Sequence, residues 1–214
     1  MNKIVLYHGT NAKFLENIRR DGLLPRNKTG KNSNYTGGVV SKPGFVYLTS
    51  RYPVFYGYNA CQDGDFMALF EVEVNSNALF PDEDFLAQVL HDKKGNRLPD
   101  IQSINPADWQ KLYKASLDSM GNVCTQSVLP EQILRHVIIP TENFWILNSL
   151  GVDFNTYTLL FSDSAFEHIS PIRSNLRLLF DKGYADYKKI YNVQNRNKIN
   201  SLTTEEQNLF RSGL

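Results

Sequence analysis

The run Lys3-Ile4-Val5-Leu6-Tyr7 is β-branched and aromatic, and it is halted at once by His8 and Gly9. That halt constrains the chain more than any other feature. A short run of this kind suits a strand, and it is far too short for a signal-peptide core or a membrane span. No later segment reaches the apolar length of a span, so the expectation is a cytoplasmic protein with no membrane partner. Asn11 then offers a helix N-cap, Phe14, Leu15 and Ile18 recur at helical spacing, and Gly22 suits a left-handed close. Strand, tight turn at His8-Gly9, helix is the expected local plan.

Leu23-Leu24-Pro25 closes that unit. Residues 26–43, rich in Gly, Pro, Lys, Asn and Ser, read as one long polar loop, and long loops of this kind are commonly functional. Strands are expected at Phe45–Leu48, Met67–Val74, Val123–Val128 and Ile133–Ile139. Helices are expected at Pro53–Cys61, from Pro81-Asp82-Glu83-Asp84 through Leu90, and at Trp109–Leu117, with a loop over 92–105. Strands and helices are mixed without strict alternation, which favours α+β over a doubly wound sheet. With 214 residues, the chain is long enough to bury a core without staples. Residues 1–140 read as that core and 141–214 as a helical C-terminal extension packed on it, with helical apolar spacing from Leu176 to Tyr191. Cys61 and Cys124 stand far apart with no ligand spacing around them, so no metal site is expected. A net charge of +1 neither requires nor rules out a nucleic-acid partner.

A histidine at a strand end followed by glycine lets backbone approach a ligand while the imidazole bonds a ribose hydroxyl. The same pair also serves a strand whose histidine is satisfied by neighbouring backbone. The wider pattern decides what the pair resembles. The series Leu6-Tyr7-His8-Gly9-Thr10, Phe14-Leu15-x-x-Ile18, Gly22-Leu23-Leu24-Pro25 and Val46-Tyr47-Leu48-Thr49-Ser50 resembles the ADP-ribosyltransferase-like domain of RNA 2'-phosphotransferases. The segment Met67 to Val74 is similar to the following core strand of that family, and Thr125 to Ile133 to its Thr-x-x-Val-Pro-Pro-Glu-x-Leu signature. The resemblance covers roughly residues 3–139. Separately, Gly44-Phe45-Val46-Tyr47 with Tyr58 downstream is similar to the Gly-x-Tyr and second tyrosine of poly(ADP-ribose) polymerase-like enzymes.

The resemblance implies a split β-sheet core with flanking helices and NAD as co-substrate. It implies that His8 holds the adenosine-side ribose, that Gly9 offers backbone groups to the nicotinamide amide, and that Thr10, Thr49 and Ser50 support the site. Arg26 and the lysines after it would face the pyrophosphate, or form a solvated basic loop. Tyr47 and Tyr58 would stack on the nicotinamide, a flat cation that an aromatic face attracts, or pack in the core. The family's transfer passes through an oxocarbenium-like state, so positioning and electrostatics carry the catalysis. Residues 26–43 are expected to order when NAD binds.

Many transferases of this fold place a glutamate on a late strand. Val123 to Val128 holds none, and Gln126 is its nearest equivalent, able to hydrogen-bond a ribose but not to act as a base. The base then lies elsewhere, with Glu71, Glu73, Asp82 and Glu83 as candidates, or the target supplies its own nucleophilicity; Glu131 reads as a turn residue. The phosphotransferases carry an N-terminal winged lobe that this sequence does not show. The resemblance therefore points to mono-ADP-ribosylation of a macromolecule by a glycosyltransferase-class enzyme, as in nucleic-acid-modifying bacterial toxins and anti-phage effectors, with an antitoxin as a further partner. Arg173, Arg177, Lys188 and Lys189, interleaved with Phe180, Tyr184, Tyr187 and Tyr191, tilt the acceptor toward RNA or DNA over protein; a solvated helical face is the other reading. The alternatives are a protein-targeting transferase, a 2'-phosphotransferase relative and a non-catalytic NAD- or nucleic-acid-binding module.

Overall fold

A computed structural model describes residues 2–30, 41–62, 65–89, 105–141, 179–181 and 183. They form an α+β fold with a six-stranded antiparallel sheet and short helices. The strands are β1 (Lys3–Asn11), β2 (Val46–Thr49), β3 (Phe66–Asn75), β4 (Phe80–Pro81), β5 (Asn122–Thr125) and β6 (Ile133–Pro140). Their order across the sheet is β4-β5-β2-β1-β3-β6. The helices are α1 (Leu15–Asp21), α2 (Arg26–Thr29), α3 (Pro53–Asn59), α4 (Glu83–Val89) and α5 (Pro106–Met120). None of them is long and apolar enough to cross a membrane.

Contacts gather the described residues into two units: Met1–His8, Phe14–Ser50 and Phe70–Leu134 in the first, and Gly9–Lys13, Arg51–Leu69 and Arg135–Leu214 in the second. In the first, β2 pairs antiparallel with β5 over four residues, from Val46 opposite Thr125 to Thr49 opposite Asn122, and β4 sets Phe80 opposite Cys124. Phe85 and Leu86 of α4 bury their side chains with Phe45, Phe80, Leu112 and Met120, which seats α4 and α5 beside β4. The expected turn chemistry of Gly22 is present: its φ is +79° and its amide donates to Ile18 O at 2.8 Å. A β-carbon there would lie 2.1 Å from Val128 O, so close approach fixes glycine as firmly as the backbone angle does. Leu23 and Val128 exchange reciprocal amide-to-carbonyl bonds of 2.8 and 3.0 Å.

In the second unit, Met67, Ala68, Leu69 and Leu179 are fully buried, with Val54 and Ile139 nearly so. Leu179, Phe180 and Asp181 are helical, and Arg135 of β6 lies 5.5 Å above the Phe180 ring and pairs with Asp181.

The strand does not stop at His8-Gly9: β1 continues to Asn11, and the helical path starts with a 3-10 turn, Ala12–Phe14. Asn11 is therefore not the N-cap of α1, which is Phe14 with no side-chain cap bond; its Oδ1 instead accepts the Lys13 amide at 2.9 Å where the 3-10 turn begins. The polar segment 26–43 does not begin as loop, because Arg26–Thr29 makes one helical turn closed by Gly30 at φ +67°. Leu90, residues 31–40 and 92–104, the extension beyond Thr141 apart from Leu179–Asp181 and Gly183, and with it Arg173, Arg177, Lys188 and Lys189, lie outside the described residues.

Candidate functional site

In the first unit, β1 and β2 share a register of one pair, Tyr7 opposite Thr49. Alternation along a strand then puts Tyr47 and Thr49 on one sheet face with Tyr7, and sends His8 from the other. The His8 imidazole nevertheless meets β2: Nδ1 lies 2.9 Å from Tyr47 O. A carbonyl can only accept, so Nδ1 carries the proton, and in the neutral ring Nε2 is the acceptor nitrogen.

The Tyr47 side chain leads elsewhere. Its hydroxyl donates to Glu83 Oε2 at 2.6 Å and accepts the Lys42 amide at 2.7 Å, while that amide also lies 3.4 Å from Glu83 Oε1. Burial, reinforced by the neighbouring Glu83 charge, pushes the phenol far above its ordinary range, so it stays protonated. Burial also raises the Glu83 carboxyl, against the lowering effect of its bond from Tyr47. Glu83 is 3% exposed at the first position of α4. Asp82 precedes it, its Oδ1 accepting the Asp84 amide at 2.9 Å as a cap for that helix. Desolvation pushes Asp82 from 3.8 up to about 7. Cys124, opposite Tyr47 on β5, donates to Pro81 O at 3.4 Å, and burial beside Glu83 and Asp82 holds its thiol neutral.

Thr49 is buried, and both its Oγ1 and the Ser50 Oγ donate to Gly121 O, at 2.9 and 3.3 Å. Arg26 donates to Ser41 O, and the Asn27 amide donates to Pro43 O at 2.9 Å, so α2 is tied to the residues just before β2. Gln126 follows the last residue of β5 and is exposed, and Glu131 is exposed within a 3-10 turn, Pro130–Gln132. Glu73 pairs with Lys3, and Glu71 is buried.

In the second unit, Gly9 is set by packing. A β-carbon on it would lie 1.9 Å from Pro53 O and 2.5 Å from Gly57 N, so strand and helix backbones touch there. Thr10 and Tyr58 are both half-buried, Tyr58 in the last turn of α3. The same unit holds a polar clasp: Asp65 Oδ2 accepts from Asn11 Nδ2 at 2.6 Å and from the Gln62 main-chain amide at 2.9 Å, while Asp65 O accepts the Thr141 amide and hydroxyl at 3.0 and 2.6 Å. The Gln62 amide, helped by Asn11 and the Lys13 charge, holds the Asp65 carboxyl below its ordinary range against desolvation.

The structure thus joins His8, Tyr47 and Glu83 in one chain of contacts. Of the acids weighed from the sequence, Glu83 meets a candidate tyrosine through its carboxylate. The main-chain amide of Lys42 and the Asn11–Asp65 clasp were not singled out in the sequence. A short acid run just before an apolar run, Pro81-Asp82-Glu83-Asp84, is the signal for Glu83, although it reads first as a helix start. Among the described residues no group of three or more His, Cys, Asp or Glu could hold a metal ion. No protein-family model and no curated protein matches this chain.

Proposed function

We propose that the chain is an NAD-dependent mono-ADP-ribosyltransferase with a split-sheet core, acting on a macromolecule, RNA or DNA in preference to protein. The observation that carries this reading is the His8–Tyr47 contact beside the single register pair of β1 and β2. A fixed Nδ1–H makes Nε2 the acceptor nitrogen of the neutral ring, the kind of group to which a ribose hydroxyl donates. In the transfer, the bond between nicotinamide and ribose C1' breaks, nicotinamide leaves with the bonding pair, and an acceptor oxygen or nitrogen bonds to C1' and gives up its proton. The protein's contribution is to hold the ribose and exclude competing water. The preference for nucleic acid rests on the cations Arg173, Arg177, Lys188 and Lys189 among aromatics in the sequence.

The test is incubation with labelled NAD and cell lysate, followed by nuclease or protease digestion. Label that nuclease releases is expected, with His8→Ala lowering transfer about a hundredfold. Absence of label on any macromolecule sinks the reading. A second reading, a non-catalytic NAD-binding module, is favoured by β5, whose residues Asn122–Thr125 carry no acid and which is followed by exposed Gln126. NAD binding without transfer would support it.

A further inference from the structure

A glutamate is seldom fully buried without partners, and Glu83, in a helix's first turn, could have faced water. Its partners are the Tyr47 hydroxyl and the Lys42 amide. A carboxylate only accepts, so Tyr47 must spend its one proton on Glu83, and its lone pair is then met by the Lys42 amide at 2.7 Å. The phenol is held from two sides. At the main chain of the same residue, the Tyr47 carbonyl takes the Nδ1 proton of His8. A buried acid and the candidate ribose-binding imidazole are therefore bonded to opposite ends of one tyrosine.

We infer that Glu83 is a positioning residue for His8, acting through Tyr47: the carboxylate fixes the tyrosine, and the tyrosine carbonyl fixes the tautomer and direction of the imidazole. Its consequence for NAD binding rests on the transferase reading, whereas its effect on the ring does not. Glu83 itself touches neither cofactor nor acceptor in this scheme. Gln126 cannot replace it, since it lies past the end of β5 and is exposed.

The experiment uses the full chain with specifically 15N-labelled histidine and follows the His8 ring nitrogens, assigned by loss of signal in His8→Ala, alongside NAD binding by calorimetry. Glu83→Ala is expected to shift His8 from a single Nδ1–H tautomer toward a mixture and to weaken NAD binding about tenfold. Glu83→Gln, which keeps an acceptor, loses about two- to threefold and retains most of the tautomer signature. Tyr47→Phe reproduces part of the loss, and adding Glu83→Ala to it costs little more, because the two act in series. Ser116→Ala, which removes buried bonds to Asp82 N and Asn122 O in the same unit, lowers stability and leaves the His8 signals in place. Should Glu83→Ala not fold, Tyr47→Phe gives the same readout, with Glu83→Gln as the variant that keeps the signature. Unchanged His8 nitrogens in Glu83→Ala or Tyr47→Phe, or additive losses in the double variant, overturn the inference. If the native chain binds no NAD, the transferase reading falls while the ring signals still decide the role of Glu83.

Discussion

Each unit holds one carboxylate at the centre of its polar contacts, and the two respond to their surroundings in opposite directions. Glu83 in the first unit is pushed up because burial outweighs the bonds it accepts. Asp65 in the second is held down because the Gln62 amide, helped by Asn11 and Lys13, outweighs desolvation. Both accept from a main-chain amide and from one side chain. What separates them is depth: Glu83 is 3% exposed, whereas Asp65 keeps contact with water. The count of hydrogen bonds alone does not tell which way a carboxyl titrates.

The comparison breaks most readily at Asp82, which shares the depth of Glu83. Its folded value of about 7 lies above the ordinary 3.8, so between those values the folded chain holds a proton that the unfolded chain has released. Stability from this group is therefore greatest at low pH, falls as pH rises through the window and is fully lost above it. Asp82→Asn keeps an acceptor for the Asp84 amide and removes the charge. It is expected to stabilise the chain by about 2–4 kcal/mol near pH 8 and to flatten the pH dependence below it, read by urea unfolding. An unchanged slope would place the proton elsewhere. Asp65 carries the opposite sign: its contribution is present above 3.8 and is lost as pH falls through its lower folded value. Asp65→Asn should remove that acid limb and leave the limb near pH 7 intact.

A smaller effect is expected at the partner of Asp65. Asn11 is 2% exposed and serves both the Asp65 carboxylate and the Lys13 amide. Asn11→Ala should cost about 1–2 kcal/mol in denaturant midpoint at neutral pH, and a cost near zero would mean that water replaces the clasp. The smallest effect separates the two thiols by rate. Burial pushes Cys61 up to about 11 but leaves it half-exposed, while Cys124 is fully buried. Under native conditions a thiol reagent should modify Cys61 slowly and Cys124 not at all until the chain unfolds. Equal rates would show that the first unit opens freely.

Much of the fold is legible because its signals are local. Met67 to Val74 reads as a core strand and appears as β3, and Pro53 starts a helix that ends two residues earlier than expected. The end of β1 is not legible, since Gly9 carries the composition of a turn while the contact that keeps it extended, Pro53 O and Gly57 N, comes from a distant helix. Val128 reads as the end of a strand and is instead a lone bridge to Leu23, with β5 ending at Thr125. At the candidate site, His8 and Tyr47 stand out by motif. The link from Tyr47 to Glu83 is written in no local pattern, because a buried acid and a helix-starting acid look alike in sequence.

The Leu23–Val128 bridge has a kinetic side. Each residue's amide proton is locked by the other's carbonyl, so neither hydrogen can exchange with solvent unless the chain after α1 and the chain after β5 part together. Two amides remote in sequence should therefore share one opening rate, and their clock would time the separation of those two segments directly.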